Sequence, residues 1–65
     1  MKIKDHFSKE HFEELLDDAI LFARSSREST FVGDIAERYA QDRMNADFSV
    51  EDKVRLKAIA GWNHE

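Results

Sequence analysis

The side chains best equipped for chemistry in this chain are three histidines and a cluster of carboxylates. His6, His11 and His64 offer ring nitrogens, and Glu13, Glu14, Asp17 and Asp18 lie close together. A zinc site on a helix needs two ligands four residues apart, as in H-E-x-x-H. His6 and His11 are five apart and straddle a helix start, so they do not share a face. His11 and Glu14 are three apart, but the di-metal bundle motif runs Glu-x-x-His, the reverse order. Paired carboxylates do acid–base work only where burial drives their pKa values apart. These four fall on a face turned to water, where nothing separates them. Ser25, Ser26 and Ser29 lack the setting of a nucleophile elbow, and neither Gly33 nor Gly61 belongs to a phosphate-binding loop. With no cysteine in the chain, disulfides and cysteine-ligated zinc are excluded. The expectation is a non-enzymatic protein with no cofactor and no metal.

A second kind of chemistry is phosphate recognition. Lys53, Arg55 and Lys57 project from the last helical segment, and the two segments before the C-terminus could form a helix-turn-helix. The three cations are spread around the helix, however, and Glu51 and Asp52 occupy the N-terminal positions that should meet base edges. The usual glycine of the turn is missing. The formal net charge of −4 also weighs against non-specific nucleic-acid binding. A DNA-binding regulator is therefore the second reading.

The elements that would position these groups are helices. There is no proline and there are only two glycines among 65 residues, so few breakers interrupt helical patterns. The longest pattern runs from Ser8 to Ser26. Phe12, Leu15, Leu16, Ala19, Ile20, Phe22 and Ala23 recur at the spacing of one helical face. At about 100° per residue they span about 160° of the circumference, wider than one partner helix needs. Glu10, Glu13, Glu14, Asp17, Asp18 and Arg24 form the opposite face, and Leu21 projects from its middle. Ser8 is the expected N-cap, with Phe7 stapled back onto Phe12. The polar, serine-rich run from Arg24 to Thr30 reads as a connection.

A second helix is expected from about Phe31 to Met44, capped by Ser29 or Thr30, with Gly33 in its first turn. Val32, Ile35, Ala36 and Tyr39 form its core stripe, and Asp34–Arg38 is a favourable neighbour pair. A third helix is expected from Ser49 to Ala60. Ser49 and Asp52 make a capping-box-like start, and Gly61 makes the stop. This helix is apolar on two sides, with Val50, Val54 and Ala58 on one and Leu56, Ile59 and Ala60 on the other. Trp62 reads as a packing anchor. Residues 1–7 read as a short extended arm able to form a strand by pairing with another copy, and Asn63-His64-Glu65 are expected to fray.

These elements make one all-α, three-helix domain spanning residues 1–65. A chain this short is marginal alone, and without disulfides or metals it relies on packing and oligomerisation. The wide stripe of the first helix and the two-sided third helix predict a homodimer. No segment has the apolar length of a signal peptide or membrane span, so the expected location is cytoplasmic, away from membranes. The functional expectation is a small regulatory or adaptor protein that binds another protein through an apolar helix surface. Leu21, Leu56, Ile59 and Trp62 are the expected partner-binding residues, and Lys53, Arg55 and Lys57 are the DNA contacts of the alternative.

Overall fold

Helix α1 covers Lys9–Phe22, α2 covers Ser26–Asp42 and α3 covers Val50–Ala60 in a computed structural model that describes residues 1–62. The expected fraying of Asn63-His64-Glu65 lies outside the described residues. The ends of α1 and α3 follow their sequence signals. The Ser8 hydroxyl accepts from the His11 N–H at 3.2 Å, and the Phe7 and Phe12 rings meet 6.0 Å apart as the staple requires. Ser49 and Asp52 cap α3 reciprocally, Ser49 Oγ accepting from Asp52 N–H at 3.1 Å and Asp52 Oδ2 from Ser49 N–H at 3.2 Å. Gly61 ends α3 in the left-handed conformation, φ 81°, where glycine has no steric penalty.

The start of α2 differs from the expectation. It begins at Ser26, not near Phe31, and Ser25 rather than Ser29 or Thr30 is its N-cap. The Ser25 hydroxyl accepts from Glu28 N–H at 3.1 Å, while the Glu28 carboxylate accepts from Arg24 N–H at 2.8 Å. Two otherwise orphaned donors are thereby satisfied, and the serine-rich run becomes the first turn of a helix. α1 ends correspondingly early, at Phe22, and the connection shrinks to Ala23–Ser25. Gly33 therefore lies inside α2, not in its first turn.

The N-terminal segment closes one end of the molecule. Ile3–Asp5 form a 3-10 turn, and Ile3 is completely buried. Ile3 N–H donates to the Ala46 carbonyl at 3.1 Å, and Phe48 N–H donates to the Met1 carbonyl at 2.8 Å. Among the described residues, the only pairing of strand type is a single antiparallel bridge between Lys2 and Asp47, made within the chain. Among the described residues there is no strand.

The core gathers from every element. Phe12, Leu15, Leu16 and Ala19 of α1 meet Val32, Ile35 and Tyr39 of α2, Leu56 and Ala60 of α3, and Ile3, Phe7, Ala46 and Phe48. Phe48, which lacks any helical pattern, is 1% exposed. Its ring lies edge-on to Phe12 at 5.7 Å and to Phe7 at 6.2 Å, a favoured geometry for aromatic quadrupoles. α1 is the central layer. It packs most extensively on α3 and less on α2, whereas the backbones of α2 and α3 hardly approach one another. The radius of gyration of 10.6 Å matches the ~11 Å expected of one compact body this long. No helix among the described residues is long and apolar enough to cross a membrane.

Candidate interaction surface

Only part of the wide α1 stripe is consumed by the core. Its central residues are buried, but its two margins are open, Ile20 at 57% and Phe22 at 48% exposure. The seven positions span about 160°, and a helix seated in one cleft shields roughly 100° of its circumference. The margins are what remains. Leu21, on the acidic face, is 72% exposed.

α3 shows the same excess. Leu56 and Ala60 point into the core, while Val50 and Val54 stand outside at 56% and 63% exposure. Ala58 is also exposed, and Ile59 is half-buried between the two faces. Because α2 and α3 stay apart, the exposed side of α3 faces a shallow groove rather than another helix. At the end of α1, a hollow of about 440 Å³ is lined by Phe22, Ala58, Ile59, Arg24 and Glu28. Beside it, Phe31, Ala58 and Ile59 form an apolar floor under Arg27 and Arg55. Further along α3, Val50, Val54 and Ala58 line a third hollow with Glu51 and Arg55. Ala58 belongs to all three, so the surface is continuous.

The charges are arranged unevenly along this surface. Arg24, Arg27 and Arg55, with Glu28 among them, stand at the end nearest Phe22, and Glu51 and Asp52 stand at the other. The Arg55 guanidinium lies over the Phe31 ring at 5.1 Å, a cation–π contact. Among the described residues, the ion pairs join Lys2 to Asp47 and Arg38 to both Asp34 and Asp52. Arg24, Arg27, Glu51 and Arg55 take part in none of them.

The residues singled out from the sequence do not come together. Leu56 is completely buried beneath α3, so its expected role in partner binding is corrected. It turns inward because its side of α3 packs on α1. Ile59 lines the groove. Trp62 is half-buried, its indole N–H donating to Asp18 Oδ2 at 2.9 Å and its ring 5.2 Å from His11, so it ties the end of α3 to α1. Leu21 is exposed, on the side of α1 opposite its buried stripe. Phe22 and Phe31 line the groove, although the sequence places Phe22 in the apolar stripe of α1 and Phe31 only at the start of the second helix, because no periodicity distinguishes a covered margin from an open one.

The three cations of the DNA alternative also separate. Lys53 lies over the Phe7 ring at 5.5 Å and Arg55 over Phe31, about 160° apart around the helix. Lys57 is half-buried. The loose contact between α2 and α3 is likewise unlike the tight pair in which one helix buttresses a reading helix.

Of the histidines, His6 Nε2 donates to the Phe48 carbonyl at 3.1 Å, and His11 packs edge-on to Phe7. His64 lies outside the described residues. Among the described residues no group of His, Asp and Glu is arranged to hold a metal. Glu13 accepts from the Tyr39 hydroxyl at 2.7 Å. That bond, and secondarily burial, raises the Tyr39 phenol above its ordinary pKa of 10.0. Compared with known proteins, the chain matches no family model, no curated protein and no solved structure.

Proposed function

We infer that this chain is a small non-enzymatic regulatory or adaptor protein of the cytoplasm, acting as a homodimer that presents an apolar helix surface to another protein. The observation that supports the homodimer is the continuous surface of exposed Phe22, Val50, Val54 and Ala58 with half-buried Phe31 and Ile59. A 65-residue body gains little stability from leaving such side chains in water, and a contiguous apolar patch with a polar rim is the signature of a protein contact. Leu21, alone on the acidic outer face of α1, is the natural contact for the second protein.

The test is site-specific photo-crosslinking from position 21 in extracts of the source cells, beside a DNA titration at two salt concentrations. The expected result is one discrete adduct with another protein, competed by the unlabelled chain but not by its Leu21→Asp variant. Saturable, salt-sensitive DNA binding without such an adduct would replace this reading with the DNA-binding one.

A further inference from the structure

We propose that the homodimer is built by α3 packing antiparallel on α3 of a second copy, with the two-fold axis passing beside Val54. The proposal rests on the homodimer reading above and assigns its surface and geometry.

The sequence of α3 supplies a self-complementary face. Val50, Val54 and Ala58 follow one another at four-residue steps along its exposed side. Reversing one helix about Val54 sets Val54 against its own copy and Val50 against Ala58. The shapes agree with that register. Ala58 is small and borders the hollow beside Phe22 and Ile59, whereas the larger Val50 and Val54 are 56% and 63% exposed. Each valine ridge thus enters the hollow of the other copy, twice over, as an isologous contact demands.

The charges select the same direction. Glu51 and Arg55 lie on one flank of the stripe, a single turn apart. A two-fold axis perpendicular to antiparallel helices brings like flanks together with their order reversed. Glu51 of one copy then lies opposite Arg55 and Arg27 of the other, and the reverse contact repeats on the far side. A parallel arrangement, with its axis along the helices, would bring unlike flanks together, so that the flank of Glu51 and Arg55 meets Lys53 and Lys57 of the other copy and Arg55 faces cations. The carboxylate and the guanidinium groups have no ion-pair partners among the described residues, so the dimer supplies what the single copy lacks. Antiparallel alignment also opposes the two helix dipoles favourably.

The absence of cysteine from the chain makes the geometry directly readable. A residue on the axis meets its own copy, within disulfide reach for closely packed helices. The wild-type mass is measured by sedimentation at about 100 μM, a concentration that populates even a weak dimer. Val54→Cys and Leu21→Cys variants are then oxidised side by side. Glu51→Arg, Arg55→Glu and the double exchange are compared by dilution. The expected results are a wild-type dimer, rapid covalent dimerisation through position 54 and not through position 21, and about tenfold weaker association for each single reversal. The double exchange should regain the lost affinity. All four positions altered or probed are exposed, and unchanged helicity by circular dichroism verifies folding. A wild-type monomer at that concentration overturns this proposal and the homodimer reading together. A wild-type dimer in which position 54 cross-links no faster than position 21, or in which the double exchange restores nothing, overturns the α3 interface alone.

Discussion

Tyr39 links a local contact to a solution property. Its ring is buried and its hydroxyl reaches the rim, where it donates a hydrogen bond to Glu13 Oε2 at 2.7 Å. The bond exists only while the phenol is protonated, and the native state holds that proton more tightly than the unfolded chain does. Its contribution to stability is therefore complete below pH 10.0 and declines as pH rises through the raised native value. Tyr39→Phe should cost about 1 kcal/mol at neutral pH and should lose stability less steeply in alkali. Urea denaturation at neutral and strongly alkaline pH measures both, and an alkaline slope equal to that of the wild type would refute the assignment. Phe48 is the larger lever. Phe48→Ala removes a ring at the meeting point of Phe7, Phe12 and His6 and should cost about 3–5 kcal/mol. For so small a domain that loss amounts to unfolding, visible as absent helicity at room temperature. The core role of Phe48 was not legible in the sequence, because it stands between helices where no periodicity marks the buried side. The caps at Ser8, Ser49 and Gly61 were legible, because each depends only on its immediate neighbours.

The helix interiors were readable for a similar reason. A repeat of apolar residues is a property of the segment itself, and α1 and α3 lie where that repeat places them. The α2 boundary was misjudged because Ser25-Ser26-Arg27-Glu28 has the composition of a connection and also the S-x-x-E spacing of a helix start. The cap contacts decide between the two. Ser25→Ala should cost about 1 kcal/mol and release amide protection in the first turn of α2, as followed by hydrogen exchange. Gly33 tests the same helix in the opposite direction. A Cβ built there meets nothing within 4 Å, so no close approach explains a glycine inside α2. Gly33→Ala should stabilise the fold by about 0.5–1 kcal/mol. Thermal melting should register this as a rise of about 3–6 °C, and a lower midpoint would reveal a constraint on Gly33 that the structure lacks.

At the scale of the molecule, the surplus of apolar surface was foreseeable and its location was not. The stripe of α1 and the two-sided α3 contain more apolar residues than one small core accepts, and Ile20, Leu21, Phe22, Val50 and Val54 remain outside it. Which of them form a groove depends on how far α2 stands from α3, a tertiary fact with no local signal. The assignment of Leu56 to a binding surface failed on the same ground, since either side of α3 could have been the inner one. Leu21→Asp should leave stability within about 0.5 kcal/mol of wild type while failing to compete for the partner adduct. Leu56→Asp should unfold the chain, because it buries an unpaired carboxylate. Thermal denaturation of the two variants side by side tests the division between surface and core. Trp62 makes such measurements simple. As the sole tryptophan in the sequence, fastened from the end of one helix onto Asp18 and His11 of another, it is a built-in fluorophore, so a shift in its emission signals separation of the first and last helices without any dye.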